Sequence, residues 1–195
     1  KSIMIASFLG IYAMSTFTAF LLIPRLVLYL EKRSILLFSI ALAALIPPIP
    51  IILYINDILP DSGSWNLFFS LAPFIYIGNT CLSSSAIVRE SMLGDISDEV
   101  ELESKIGQQG LMFASSSLIG KLNTGLGILV AGLALEFIGF PRGSEILPNA
   151  DQIFSLAMVQ GPFVAVLMIV PFGIFFLYNI DRQKHNTILS QLDAR

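Results

Sequence analysis

Ser117, Lys121 and Thr124 recur at helical spacing inside the apolar stretch Gly110–Ile138, so they share one helix face. Ser116, Gly120, Asn123 and Gly127 form the stripe beside them. An ammonium flanked by hydroxyls can pair with a carboxylate, compete with a cation for it, or donate to the oxygens of a polar solute. A bilayer needs about 20 apolar residues per helix, which this stretch supplies. A charge at that depth costs about 2.5–3.5 kcal/mol on insertion scales, and such lysines face a bundle interior or a wet cavity and pair with an acid. Glu136 lies 15 residues further on, about 22 Å along a helix axis, too far to be that acid. A buried structural ion pair is the alternative to a solute or coupling role. Either way the partner is expected outside this sequence, unless Lys121 is neutral.

A second polar set is thinner. Tyr76, Asn79 and Ser83 share a face, Ser84 and Ser85 extend the polarity, and Tyr12 and Ser15 are similarly placed in the first apolar run. These side chains suit a hydroxylated solute or hydrogen bonds between helices, which average about 0.6 kcal/mol in membranes.

Enzyme chemistry finds little support. Ser115 to Leu122 reads SSSLIGKL, which has the Gly-Lys of a phosphate loop but neither its first glycine nor its closing Ser or Thr. His185 is the only histidine, so no histidine triad or histidine pair for a metal can be built. Asp95, Asp98, Glu99, Glu101 and Glu103 lack the spacing and turn glycine of a calcium loop. They read as a solvated acidic face. The lone Cys81 sits in an apolar run and reads as a packing residue.

The elements that must hold these residues are membrane helices. The chain is 55% hydrophobic and 13% charged, with a mean hydropathy of +0.79, where a soluble domain is about a quarter charged. A net charge of −3 with no basic aromatic patch gives no reason to expect a nucleic-acid partner. Five spans are expected: Ile3–Ile23, Ile35–Ile55, Trp65–Val88, Gly110–Ile138 and Phe154–Tyr178, followed by a polar tail, residues 179–195. Pro24–Ser34, Asn56–Ser64, Arg89–Gln109 and Gly139–Ile153 are read as connections. Pro47, Pro48 and Pro50 should kink or break the second span, and Gly161-Pro162 and Pro171 the fifth. Each bend serves either gating or a fixed shape.

The loops orient the bundle. Arg25, Lys32, Arg33, Arg89, Lys105, Arg182, Lys184 and Arg195 fall on one side, against Lys1 and Arg142 on the other, eight to two. The positive-inside rule puts the larger set, and the C-terminus, in the cytoplasm. Trp65 then anchors the third span at the outer interface. Five spans with an outer N-terminus lead us to expect upstream helices.

The run Met92-Leu-Gly-Asp95-Ile-Ser-Asp98-Glu99-Val-Glu101, then Gly110-Leu-Met-Phe113, then Lys121, resembles the glycoside–pentoside–hexuronide:cation symporters. These are melibiose-permease-like members of the major facilitator superfamily. Pro24-Arg25 with Glu31-Lys32-Arg33, Ile138-Gly-Phe-Pro141, and Asp181-Arg182 with His185 add weaker support. Glu99-Val100 replaces the family's usual Tyr-Gly. The resemblance implies an all-α membrane protein whose five spans match helices 8–12 of such a transporter, with the N-terminal half lying outside this sequence. It implies cation-coupled uptake of a sugar or glycoside by alternating access, with the coupling Na⁺ or H⁺ held mainly by acids of that half and no other cofactor. Lys121, Ser117, Ser116, Thr124, Tyr76 and Asn79 would form the coupling and solute cavity. Asp95, Asp98 and Glu101 would match a cytoplasmic loop that latches the closed state. The expected setting is multi-pass in the cell (inner) membrane, with lipid and the N-terminal half as partners. A lipid or lysophospholipid carrier on the same fold and a non-transporting scaffold are the alternatives.

Overall fold

The computed structural model describes residues 2–60, 64–141, 149–175 and 182–193. Its helices are α1 (Ser2–Tyr29), α2 (Lys32–Leu45), α3 (Pro48–Ile55), α4 (Trp65–Ser104), α5 (Gln109–Phe137), α6 (Ala150–Met158), α7 (Val164–Leu167), α8 (Ile169–Phe175) and α9 (Arg182–Asp193). A π-helical turn, Val159–Phe163, joins α6 to α7. Five helical stretches are long and apolar enough to cross a membrane: Ala6–Tyr29, Lys32–Ile55, Trp65–Ser104, Gln109–Phe137 and Asp151–Phe175. The chain is an all-α, multi-pass membrane protein.

Two expected connections are largely helical. α1 runs through Pro24 to Tyr29. Proline removes a helical N–H and crowds the preceding turn, and Arg25 Nη1 donates to the Leu21 carbonyl at 3.3 Å, next to the disturbed bond. Only Leu30 and Glu31 separate α1 from α2. The stretch read as the connection Arg89–Gln109 is helical as far as Ser104, making α4 40 residues long, about 60 Å. Its residues are polar yet good helix formers, with Met92, Leu93, Glu99, Glu101, Leu102 and Glu103 among them. Lys105, left-handed with φ 61°, ends the helix by donating its N–H to the Glu101 carbonyl.

The proline breaks fall where the sequence puts them. Pro47 separates α2 from α3, and Gly161-Pro162 sits in the π-helical turn. The two breaks touch. A Cβ at Gly161 would overlap Ile51 Cδ1 and lie 3.5 Å from Pro48 Cα. Helix starts are marked locally: the Ser64 side chain caps α4 by accepting from Leu67 N at 3.1 Å. Asn149 and Gln152 form a reciprocal capping box at α6.

The core joins α1, α2, α4 and α8. Ile23, Ile35, Leu36, Ile40, Val88 and Met92 are buried together, with Phe172 and Phe175 packed on them. Lys1, Arg142, Asp181 and Arg195, and the end of the fifth expected span beyond Phe175, lie outside the described residues.

Candidate functional site

α5 distributes its polar residues over two faces. Ser116, Gly120 and Asn123, bordered by Ser115, Ser117 and Thr124, line a cleft of about 1170 Å³. Its opposite wall is Arg89, Glu90 and Leu93 of α4. None of the residues of α5 is buried. The hydroxyls and the Asn123 amide are therefore open to whatever fills the cleft. Thr124 Oγ1 donates to the Gly120 carbonyl at 2.9 Å, which keeps its oxygen lone pairs free to accept.

Lys121 is not part of that lining. At 100° per residue it lies about 140° around the helix from Ser116. It is exposed on the far side of α5 and makes no hydrogen bond or ion pair among the described residues. Ser117 and Thr124 stand between the two faces, about 40° and 60° from Lys121.

Arg89 and Glu90 are the residues that the sequence reading placed outside the membrane helix. Both face the cleft, paired at 3.4 Å and about half exposed, at 58% and 46%. The signal was present: after Pro73 and Gly78 the run meets no further proline before the end of α4 and no glycine until Gly94, so nothing stops the helix at Val88.

Tyr76 and Asn79 stand on α4 and bond to α1. The Tyr76 hydroxyl and Thr18 Oγ1 are 2.6 Å apart. Asn79 Nδ2 donates to Ser15 Oγ at 2.5 Å and to Thr16 Oγ1 and the Tyr12 carbonyl at 3.2 Å each. Thr16 Oγ1 and Ser83 Oγ lie 3.2 Å apart.

The acids of α4 turn to separate partners. Asp95, buried, takes Lys32 Nζ on both oxygens at 2.6 and 2.8 Å and so ties α4 to the start of α2. Asp98 Oδ1 accepts from Gln109 Nε2 at 3.1 Å. Glu101 lies over Gly107, where a Cβ would sit 3.5 Å from its Oε2. Glu99, at the position where the resemblance has tyrosine, pairs with Lys184 of α9 at 2.5 Å. Ser97 is fully buried on the same helix, and its hydroxyl has no hydrogen-bond partner among the described residues.

Comparison with known proteins agrees with the apolar spans. The family described as MFS/sugar transport protein matches residues 2–182. The chain belongs to this family. It is also 28% identical, over 141 residues, to a protein of Synechocystis sp. described as an uncharacterized symporter. That match covers 70% of this chain and 25% of the relative, so the chain spans about a quarter of the protein it resembles. No solved structure matches it.

Proposed function

We propose that this chain forms one wall of a secondary carrier that moves a sugar or glycoside together with Na⁺ or H⁺ by alternating access. The observation that carries the reading is the α4–α5 cleft, where hydroxyls, an amide and the Arg89–Glu90 pair border one space between two helices long and apolar enough to cross a membrane. Lys121, turned away from this cleft and unpaired among the described residues, is assigned to coupling. Its partner is a carboxylate contributed from outside this chain, for which it competes with the cation. Cation binding frees the ammonium and favours the solute-binding state. The differential affinity of the two conformations drives the cycle. The end of the bundle carrying Lys32 and Asp95 is cytoplasmic in this reading, with α9 beside it, and Trp65 marks the outer end.

The test is uptake of radiolabelled glycosides into vesicles containing the full-length carrier, with and without Na⁺ or a proton gradient. Replacing Lys121 with Ala is expected to abolish cation-dependent uptake while leaving the protein folded. Unchanged coupled uptake removes the assignment of Lys121. A lipid or lysophospholipid carrier is the second reading, favoured by Leu93, Leu111, Met112, Ile119, Leu122 and Leu126 on the cleft wall. Transfer of a lysophospholipid by a carrier that ignores every glycoside would establish it instead.

A further inference from the structure

The polar side of α4 does not end at the cleft. Asn79, Ser83, Glu90 and Ser97 follow one another at separations of 4, 7 and 7 residues, which keeps them on one face of the helix. α1 lies against the first part of this face and the α5 cleft opens on the second.

The amide of Asn79 is fixed in one orientation. Nδ2 donates to the Tyr12 backbone carbonyl at 3.2 Å, as well as to Ser15 Oγ and Thr16 Oγ1. A carbonyl oxygen only accepts, so the nitrogen has to be the atom on the α1 side. Oδ1 is thereby turned away from those acceptors, and it receives no hydrogen bond among the described residues. Beside it, Thr16 Oγ1 and Ser83 Oγ share a single hydrogen bond at 3.2 Å, and Thr16 and Tyr12 are exposed. The Tyr12 phenol is also unpartnered among the described residues. An acceptor oriented by the protein and left unpaired at membrane depth is unfavourable unless water or a ligand meets it. The chemistry that fits is an O–H donor from a neutral polyhydroxylated molecule.

Building on the transport reading above, we propose that Asn79 is a solute-binding residue whose Oδ1 accepts a hydrogen bond from one solute hydroxyl. The α1–α4 seam is then a station of its own on the α4 polar face, about 16 Å along the helix from Glu90. That separation exceeds one sugar ring.

The experiment is competition against uptake of radiolabelled methyl glucoside and methyl galactoside by the full-length carrier. The competitors are the same glycosides with one hydroxyl at a time replaced by fluorine, which cannot donate. In the wild type, one position of substitution is expected to weaken competition at least tenfold. Asn79→Ala should reduce that one penalty to less than threefold and leave the penalties at other positions unchanged. Asn79→Ser, whose shorter side chain keeps a donor for α1 but carries no acceptor out to the position of Oδ1, gives the same reading if the alanine variant does not fold. Transport in which both variants retain every fluorine penalty overturns the assignment and makes Asn79 a bolt between α1 and α4. A wild type that takes up neither glycoside nor any relative removes the sugar-transport reading, and the Asn79 assignment with it.

Discussion

Two sides of α4 obey opposite rules. Toward α2 the helix presents Cys81, Ser84, Val88, Met92 and Asp95, all buried, and the single charge among them is neutralised by Lys32 on both oxygens. Toward α5 it presents Arg89, Glu90 and Leu93 across an open cleft to a helix with no buried residue. On the first side every polar group with a charge has a partner in the same chain. On the second, Lys121, farther round α5, has none among the described residues. Stability is concentrated where the charge is buried and matched. Solute and cation chemistry is assigned to the side where Arg89 and Glu90 stand half exposed at the cleft, and to Lys121 on the far face of α5.

The sharpest break of this comparison is at Asp95. Removing one member of a buried ion pair costs about 3–5 kcal/mol because the other is left uncompensated. Lys32 keeps 22% of its side chain exposed and Asp95 7%, so Asp95→Ala should cost about 3 kcal/mol, the lower end of that range. The readout is a fall in the apparent Tm of the purified carrier in detergent. Replacing both partners with apolar residues, Lys32→Met with Asp95→Leu, should recover most of the loss. A single variant as stable as the wild type would show that α2 and α4 are held by the apolar core alone.

Next in size is the contact between the two broken helices. Gly161→Leu places a side chain where Ile51 Cδ1 already lies, and overpacking of this kind costs about 1–3 kcal/mol. Ile51→Ala in the same molecule should relieve it. Thermal unfolding of the single and double variants measures both effects. No rescue by Ile51→Ala would mean that the π-helical turn is displaced as a unit.

Lys121→Ala inverts the pattern expected at Asp95. An exposed side chain with no partner among the described residues should change stability by less than about 0.5 kcal/mol. Cation-dependent uptake should fall at least tenfold, equivalent to about 1.4 kcal/mol. If Tm falls and uptake does not, α5 belongs with the structural side of α4 and the comparison fails.

Five apolar runs were legible in the sequence because a membrane span is set by length and hydropathy, and the break at Pro47 because proline forbids the bond. The helical course of Arg89–Ser104 was legible only in the lack of a stop signal, and polarity outweighed it. Polarity there suggested a loop, while helix-forming residues and the Lys32–Asp95 pair hold a helix. The faces of α5 were legible from the 3.6-residue period. Which face meets α4 was not, because two polar stripes set among apolar residues do not say which of them meets a neighbour. Thus Ser116 and Asn123 emerged at the cleft and Lys121 opposite, a division that spacing within one helix cannot assign. Tyr76 and Asn79 were legible as a polar pair, but their hydrogen bonds to Ser15, Thr16 and Thr18 depend on α1 lying alongside α4.

The smallest effect tests whether the α1–α4 seam belongs to the stabilising side of α4 or to the solute side. Thr18 Oγ1 and the Tyr76 hydroxyl are 2.6 Å apart, and Thr18 also donates to the Met14 carbonyl of its own helix at 2.9 Å. An isolated α1 would therefore still satisfy the threonine, which limits what the contact across helices can add. Bonds of this kind average about 0.6 kcal/mol in membranes, with a maximum near 1.7. A double-mutant cycle of Thr18→Val and Tyr76→Phe, read by thermal unfolding, should give a coupling close to the average. A coupling above the usual maximum would make the seam a principal support of the fold, and its polar groups would be explained without a solute. A coupling near the average leaves α1 and α4 held mainly by packing. The hydroxyls and the Asn79 carbonyl oxygen between them then contribute little to stability, which is what a surface kept for ligand contact requires.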